Sequence, residues 1–130
     1  MELSSSQAEA RVPVTILRPK GNIDSHSYEE FYKYATELID KGAANLLIDL
    51  HDVPYMSSAG LRALNMLYTK LNPPGGGDNV TKGVAAGTYK SPHLKLVSPS
   101  SKVLETLKMS GFDMFLDIRS NTKDALAAFE

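Results

Sequence analysis

The stretch from Leu46 to Leu71 constrains this fold more than any other part of the chain. Leu46, Leu47 and Ile48 make a short, bounded apolar run, the pattern of a buried strand. Beyond a turn, Leu61, Leu64, Leu67, Tyr68 and Leu71 recur at helical spacing, so one face of that segment must be covered. Between the two lie Ser57, Ser58, Ala59 and Gly60. A hydroxyl in such a place caps the helix by accepting from an otherwise unpaired N–H, a contribution of ~1 kcal/mol. Strand, turn and helix in this order belong to the layered α/β architectures.

The rest of the chain repeats the alternation. Glu2 to Ala10 is polar and weakly patterned, and reads equally as an edge strand or a disordered tail. Val12, Val14, Ile16 and Leu17 nearly alternate, with Pro13 placing them at an edge or at a strand start. Pro19-Lys20-Gly21-Asn22 breaks that strand. Ser27 and Glu30 have the spacing of a capping box. The helix behind them carries Tyr28, Phe31, Tyr32, Ala35, Leu38 and Ile39 on one face, and Gly42 stops it. An aromatic stripe of this kind is core packing rather than a cofactor pocket.

Asn72-Pro73-Pro74-Gly75 cannot continue the second helix, because proline lacks the donor and glycine costs backbone entropy. Residues 73–92 read as an inserted loop, long by ordinary standards, that is a flexible insertion, a short hairpin or a partner contact. Most of Pro73 to Lys90 is expected to be mobile and dispensable for folding, with Val80, Val84 and Tyr89 as its only anchors. Leu94 to Val97 restores a strand, and Ser98-Pro99 supplies a cap with proline at the first helical position. Val103, Leu104, Leu107 and Met109 form the next inward face, closed by Ser110-Gly111-Phe112. Met114 to Ile118 is a last strand. Asn121 or Thr122 caps a final helix whose inward residues are Ala125, Leu126 and Phe129. The pattern describes one domain over residues 1–130, an α/β fold with a largely parallel central sheet.

Bulk chemistry narrows the function classes. A chain of 130 residues that is 42% hydrophobic can bury an ordinary core. Its formal net charge of −1 gives no electrostatic drive toward nucleic acid or an anionic membrane. With no cysteine there is no disulfide, thiol catalysis or thiolate metal site, which fits a reducing cytoplasm. No signal peptide and no membrane-spanning run is expected.

Several site chemistries can be weighed on the residues. His26, His51 and His93 are widely spaced and match no ligand pattern, so no metal is expected. Ser58, His51 and Asp49 are the residue types of a serine hydrolase. However, the turn is not Gly-x-Ser-x-Gly, and Asp49 and His51 project from one short segment. Gly75-Gly76-Gly77 and Lys82-Gly83 lack the GxxxxGK[ST] order and follow a helix, so a surface loop is the simpler reading than a phosphate cradle. At Ser58 a phosphate would meet a helix N-terminus, whose free N–H groups and dipole accommodate negative charge.

Val53-Pro54-Tyr55-Met56-Ser57-Ser58-Ala59-Gly60-Leu61 resembles the signature of the STAS domain, the anti-sigma factor antagonist family. Gly21-Asn22-Ile23-Asp24 is similar to the family's Gly-x-Leu/Ile-Asp turn. Ser98-Pro99 through Ser110-Gly111-Phe112 is similar to its Ser-Pro start and Ser-Gly-Leu/Phe stop. The resemblance implies a mixed, mainly parallel sheet with an antiparallel edge and helices packed mostly on one face. It places Ser58 at the serine that family kinases phosphorylate, with Ser57 where the motif aspartate stands and Ala59 in place of the second hydroxyl residue. It implies a partner surface of Asp24, Ser57, Ser58, Ala59, Gly60 and Arg62.

The function implied is a non-enzymatic, phospho-regulated binding switch in the cytoplasm. Its partners would be an anti-sigma factor serine kinase, bound by the unphosphorylated form, and a serine phosphatase, with no cofactor of its own. The alternatives are a STAS scaffold in a signalling assembly without phosphorylation and, less favoured, a small serine hydrolase.

Overall fold

The structure, a computed structural model, describes residues 1–71, 91 and 93–129. The expected insertion at 73–92 lies outside the described residues apart from Ser91, and so do its proposed anchors and its glycines. Among the described residues five strands form one sheet in sequence order. β1 (Glu2–Glu9) runs antiparallel to β2 (Pro13–Lys20). β3 (Leu46–Asp49), β4 (Leu94–Val97) and β5 (Asp117–Arg119) then follow β2 in parallel. The polar N-terminal segment is therefore the antiparallel edge, and Pro13 opens β2 as its missing donor requires. β3 is central, as its unbroken apolar run demands.

Side-chain alternation along the strands divides the core into two layers. Leu17, Leu46, Ile48, Leu94 and Leu96 face α1 (Tyr28–Asp40), α2 (Ser58–Leu71) and α3 (Ser101–Met109), where Phe31, Ala35, Leu64, Leu67, Val103 and Leu107 are buried against them. Val14, Ile16, Leu47 and Val97 face the other way and are covered by Ala125 and Phe129 around the short α4 (Thr122–Ala127). Each fully buried Leu, Ile or Phe contributes about 1.5–3 kcal/mol, so the three-helix layer carries most of the apolar stabilisation.

Lys95 also points to the α4 face. It is only 4% exposed. Its Nζ donates to the Ser91 carbonyl at 3.1 Å, lies 3.6 Å from the Asp117 carboxylate and 5.3 Å from the Phe129 ring centroid. Burial would raise the Asp117 pKa, but hydrogen bonds from Arg119 and the charges of Lys95 and Arg119 outweigh it and hold the carboxyl below its usual range. This network ties β4 to β5 and to the chain at Ser91.

Four local readings need correction. The capping box at Ser27 and Glu30 does not form: Ser27 Oγ donates to the Asn22 carbonyl and accepts from Asp24 N–H, while Glu30 meets the N-terminal amine at 3.6 Å. Ser98 is not the cap of α3. It has φ +56°, and its N–H and Oγ go to the carbonyls of Arg119 and Ser120. Ser100 does the capping, accepting from Val103 N–H at 3.2 Å.

Met109 falls outside the Val103–Leu107 stripe and is 81% exposed. Finally, Met114 to Leu116 is not strand. Phe112–Met114 is a 3₁₀ turn that puts Phe112 and Phe115 on one side, where Phe115 packs edge-on to Tyr68 at 4.8 Å. A strand would send those two rings to opposite faces.

Candidate functional site

Ser58 is the first residue of α2, and the turn before it is fixed by a neighbouring segment of chain. Gly21 takes φ +119°, which a side chain would resist, and redirects β2 alongside residues 52–57. Gly21 N–H then donates to Asp52, Ile23 N–H to Tyr55, and Ser57 N–H back to Ile23, at 2.9–3.0 Å. Ile23 and Met56 form a parallel bridge. The two motif turns that the sequence separates are thus one stitched unit.

Gly60 locks that unit to the helix. A Cβ on it would lie 2.7 Å from the Ile23 carbonyl oxygen and 2.7 Å from Met56 Cγ, closer than atoms pack. Only glycine lets the first turn of α2 press on the Ile23 backbone. Ala59 and Gly60 are buried, so they shape the surface from beneath. Ser58 and Arg62, one helical turn apart, are exposed on one face of α2.

The two hydroxyls have divided roles. Ser57 Oγ accepts from Ala59 N–H at 3.2 Å, and its carbonyl accepts from Leu61 N–H. Ser57 therefore does the capping that sequence assigned to either serine. Among the described residues the Ser58 hydroxyl makes no hydrogen bond and faces solvent. No acidic side chain stands in the first turn of α2.

Asp24 borders this turn. Its carboxylate accepts from His26 N–H at 2.9 Å, with Ser27 Oγ at 3.3 Å. The His26 amide, with help from the Ser27 hydroxyl, holds the Asp24 pKa below the usual carboxylate range against a smaller opposing effect of desolvation. Asp24 is thus an anion oriented by its own turn beside the Ser57–Ser58 segment.

Two residues at this edge escaped the sequence reading. Tyr55 is 38% exposed, and Lys102, from the start of α3, holds its Nζ 5.2 Å from the ring centroid. An aromatic in a polar turn was the available signal for Tyr55. Nothing in the sequence joined Lys102 to it.

The other candidate chemistries are placed as follows. Asp49 accepts from His51 N–H and lies 3.8 Å from Arg18, whereas His51 Nδ1 turns to Asp52 at 3.1 Å. The imidazole is engaged there, and no hydrogen bond joins it to Ser58 among the described residues. His93 Nδ1 meets Asn45 at 3.1 Å. Among the described residues no three His, Asp or Glu side chains group as a metal site, and no helix is long and apolar enough to cross a membrane.

The profile of the STAS domain matches residues 5–77. No curated protein sequence matches the chain. Among solved structures, the fold is similar to a Thermotoga maritima protein assigned as an anti-sigma factor antagonist, with TM-score 0.74 and 19% identity over 95% of this chain and 91% of that one. An anti-sigma factor antagonist from Mycobacterium paratuberculosis gives TM-score 0.71 and 19% identity over 98% and 93% of the two chains. The Bacillus cell fate determinant SpoIIAA in its phosphorylated form gives TM-score 0.61 and 16% identity over 96% of each.

Proposed function

The chain belongs to the STAS domain family, and from that premise we propose that it is an anti-sigma factor antagonist switched by phosphorylation of Ser58. The unphosphorylated form binds an anti-sigma factor that is also a serine kinase, and a serine phosphatase reverses the modification. The observation that carries this reading is the freedom of one hydroxyl. Ser57 is occupied as the cap, while Ser58 stands exposed at the head of a helix with no acid in its first turn.

A phosphate on Ser58 would bring about −1.5 to −2 charges to an N-terminus that favours them, so α2 need not rearrange. The consequence falls on the partner. A surface fitted to a neutral hydroxyl, to Asp24 and to Arg62 would face a dianion whose desolvation it does not compensate. Ala59 and Gly60 keep the turn in place beneath that contact, and Ser57 holds its backbone.

The test is incubation with ATP and a cognate anti-sigma kinase, followed by peptide mass spectrometry. Addition of one phosphate at Ser58, lost in Ser58→Ala, together with release of the kinase from the modified protein, supports the switch. Stable binding without any modification would instead favour a STAS scaffold, a reading that the replacement of the motif aspartate by Ser57 makes specific. Labelling of Ser58 by a serine-directed covalent inhibitor would favour a hydrolase.

A further inference from the structure

β1 is eight residues long and lies at one margin of the sheet, paired with β2 in an unbroken register. The prolines of β2 reveal which way the backbone of β1 points. Pro19 opposes Leu3 and Pro13 opposes Glu9. In an antiparallel ladder, opposed residues alternate between pairs that exchange both N–H···O bonds and pairs that exchange none. Proline has no N–H, so both of these pairs belong to the non-bonded class. Ser5 with Leu17 and Gln7 with Thr15 share their parity and class.

An independent contact agrees: Thr15 N–H turns away from β1 and donates to the Asn45 carbonyl at 2.9 Å. The ladder bonds of β1 are therefore made by Glu2, Ser4, Ser6 and Ala8. The N–H and C=O groups of Leu3, Ser5, Gln7 and Glu9 point out from the margin, where none of the described residues bonds to them.

Edge strands are commonly blunted by charged side chains, proline or a bulge; β1 has no proline and no bulge, and its two charges, Glu2 and Glu9, stand at its ends. Its side chains are also drawn back from the margin. Ser5 Oγ lies 3.2 Å from Tyr34 Oη, Ser6 accepts from Arg18 at 2.7 Å, and Gln7 donates to Thr15 at 3.0 Å.

We propose that this margin pairs, antiparallel about a two-fold axis, with the β1 margin of a second copy of the chain. Outward residues must oppose outward residues, so only registers matching odd positions to odd positions are allowed. The register centred on Ser6 opposes Leu3 to Glu9 and Ser5 to Gln7, and it engages every outward group in both copies. It sets Glu2 against Ala10. A register opposing Glu2 to Glu9, which would be repulsive, is excluded because the Glu2 backbone points inward. This self-complementarity is why the occupant is a second copy rather than a foreign strand. An interface of one strand pair is small and correspondingly weak, so the dimer forms by mass action.

The test uses the intact chain, with amide exchange read by NMR and assembly by sedimentation velocity from micromolar to millimolar concentration. Amides of Ser4, Ser6 and Ala8 should be protected throughout. Those of Leu3, Ser5, Gln7 and Glu9 should exchange freely when dilute and gain protection in step with a sedimenting dimer. Ser5→Pro removes an outward donor that the monomer does not use, and should keep the folded chain monomeric at every concentration. A wild-type chain that stays monomeric at millimolar concentration overturns the proposal. So does protection of the Ser5 amide in the dilute monomer, or a Ser5→Pro chain that dimerises like the wild type.

Discussion

Two helices leave neighbouring parallel strands through serine-bearing turns, and the turns are built differently. At α3, Ser100 caps by accepting from Val103 N–H, and a charge network among Lys95, Asp117 and Arg119 secures the strands behind it. At α2, Ser57 reaches only the Ala59 N–H, and the turn is held by backbone bonds to residues 21–23 and by the contact of Gly60 with Ile23. Holding a turn by its backbone leaves its side chains available. That is why Ser58 is left exposed with its hydroxyl unused among the described residues, whereas Ser98 and Ser100 before α3 are spent on structure.

The largest effect that would break this contrast is at Gly60. Gly60→Ala puts a methyl into the Ile23 backbone, which cannot yield as a flexible side chain would. Overpacking of this kind costs about 1–3 kcal/mol. We expect about 3 kcal/mol in chemical denaturation, with loss of the cross-turn bonds of Ile23 and Ser57 seen in amide exchange. A cost under about 0.5 kcal/mol would mean that the two turns are not locked together.

The α3 side should answer to acid instead. Asp117→Asn leaves the buried Lys95 without its carboxylate, a loss of 3–5 kcal/mol in a fully buried pair. Asp117 keeps contact with solvent, so screening brings the expected cost to about 2 kcal/mol at neutral pH. The folded-state pKa of Asp117 is depressed, so its contribution is fully present above its unfolded value of about 3.9 and is lost as pH falls through the folded value. Urea melts of wild type and variant should therefore differ at pH 7 and converge below about pH 4. A constant difference across that range would assign the loss to packing.

Ser100→Ala should cost about 1 kcal/mol, the usual value of a lost cap, with no change in any binding assigned to Ser58. Thermal melting compared with wild type checks the first part, and partner titration the second. Impaired binding would show that α3 takes part in the surface, through Lys102 and Tyr55.

Much of the architecture was legible because it rests on periodicity. The apolar run at Leu46–Ile48 and the stripes of α1 and α2 could be buried in only one way, and Gly42 and Gly111 stop helices with positive φ as expected. What sequence did not resolve was the choice among adjacent hydroxyls. Ser27, Ser57, Ser58, Ser98 and Ser100 are interchangeable in a capping pattern. Distant carbonyls decide among them, those of Asn22 and Ser120 drawing Ser27 and Ser98 away. The end of the chain misled for a similar reason. The Tyr68 ring, far off in sequence, favours a 3₁₀ turn at Phe112–Met114 over an early strand. At the site, the resemblance placed Ser58 and Asp24 side by side, but the buried role of Gly60 and the Lys102–Tyr55 contact needed coordinates.

The smallest expected effect is the one that separates the two serines of α2. If Ser57 is the cap, Ser57→Ala should lose about 1 kcal/mol, while Ser58→Ala should stay within about 0.5 kcal/mol of wild type, as exposed substitutions do. Alanine is also the better helix former at an exposed helical position, so any shift for Ser58→Ala should lean toward stabilisation. Differential scanning fluorimetry on the two variants in parallel gives the comparison directly. Equal losses would mean that both hydroxyls support the turn. Ser58 would then not be free in the sense the switch requires, because modifying it would disturb the helix as well as the partner. A loss confined to Ser57→Ala would leave Ser58 as a hydroxyl that the fold itself does not need, which is the condition for giving it to a kinase.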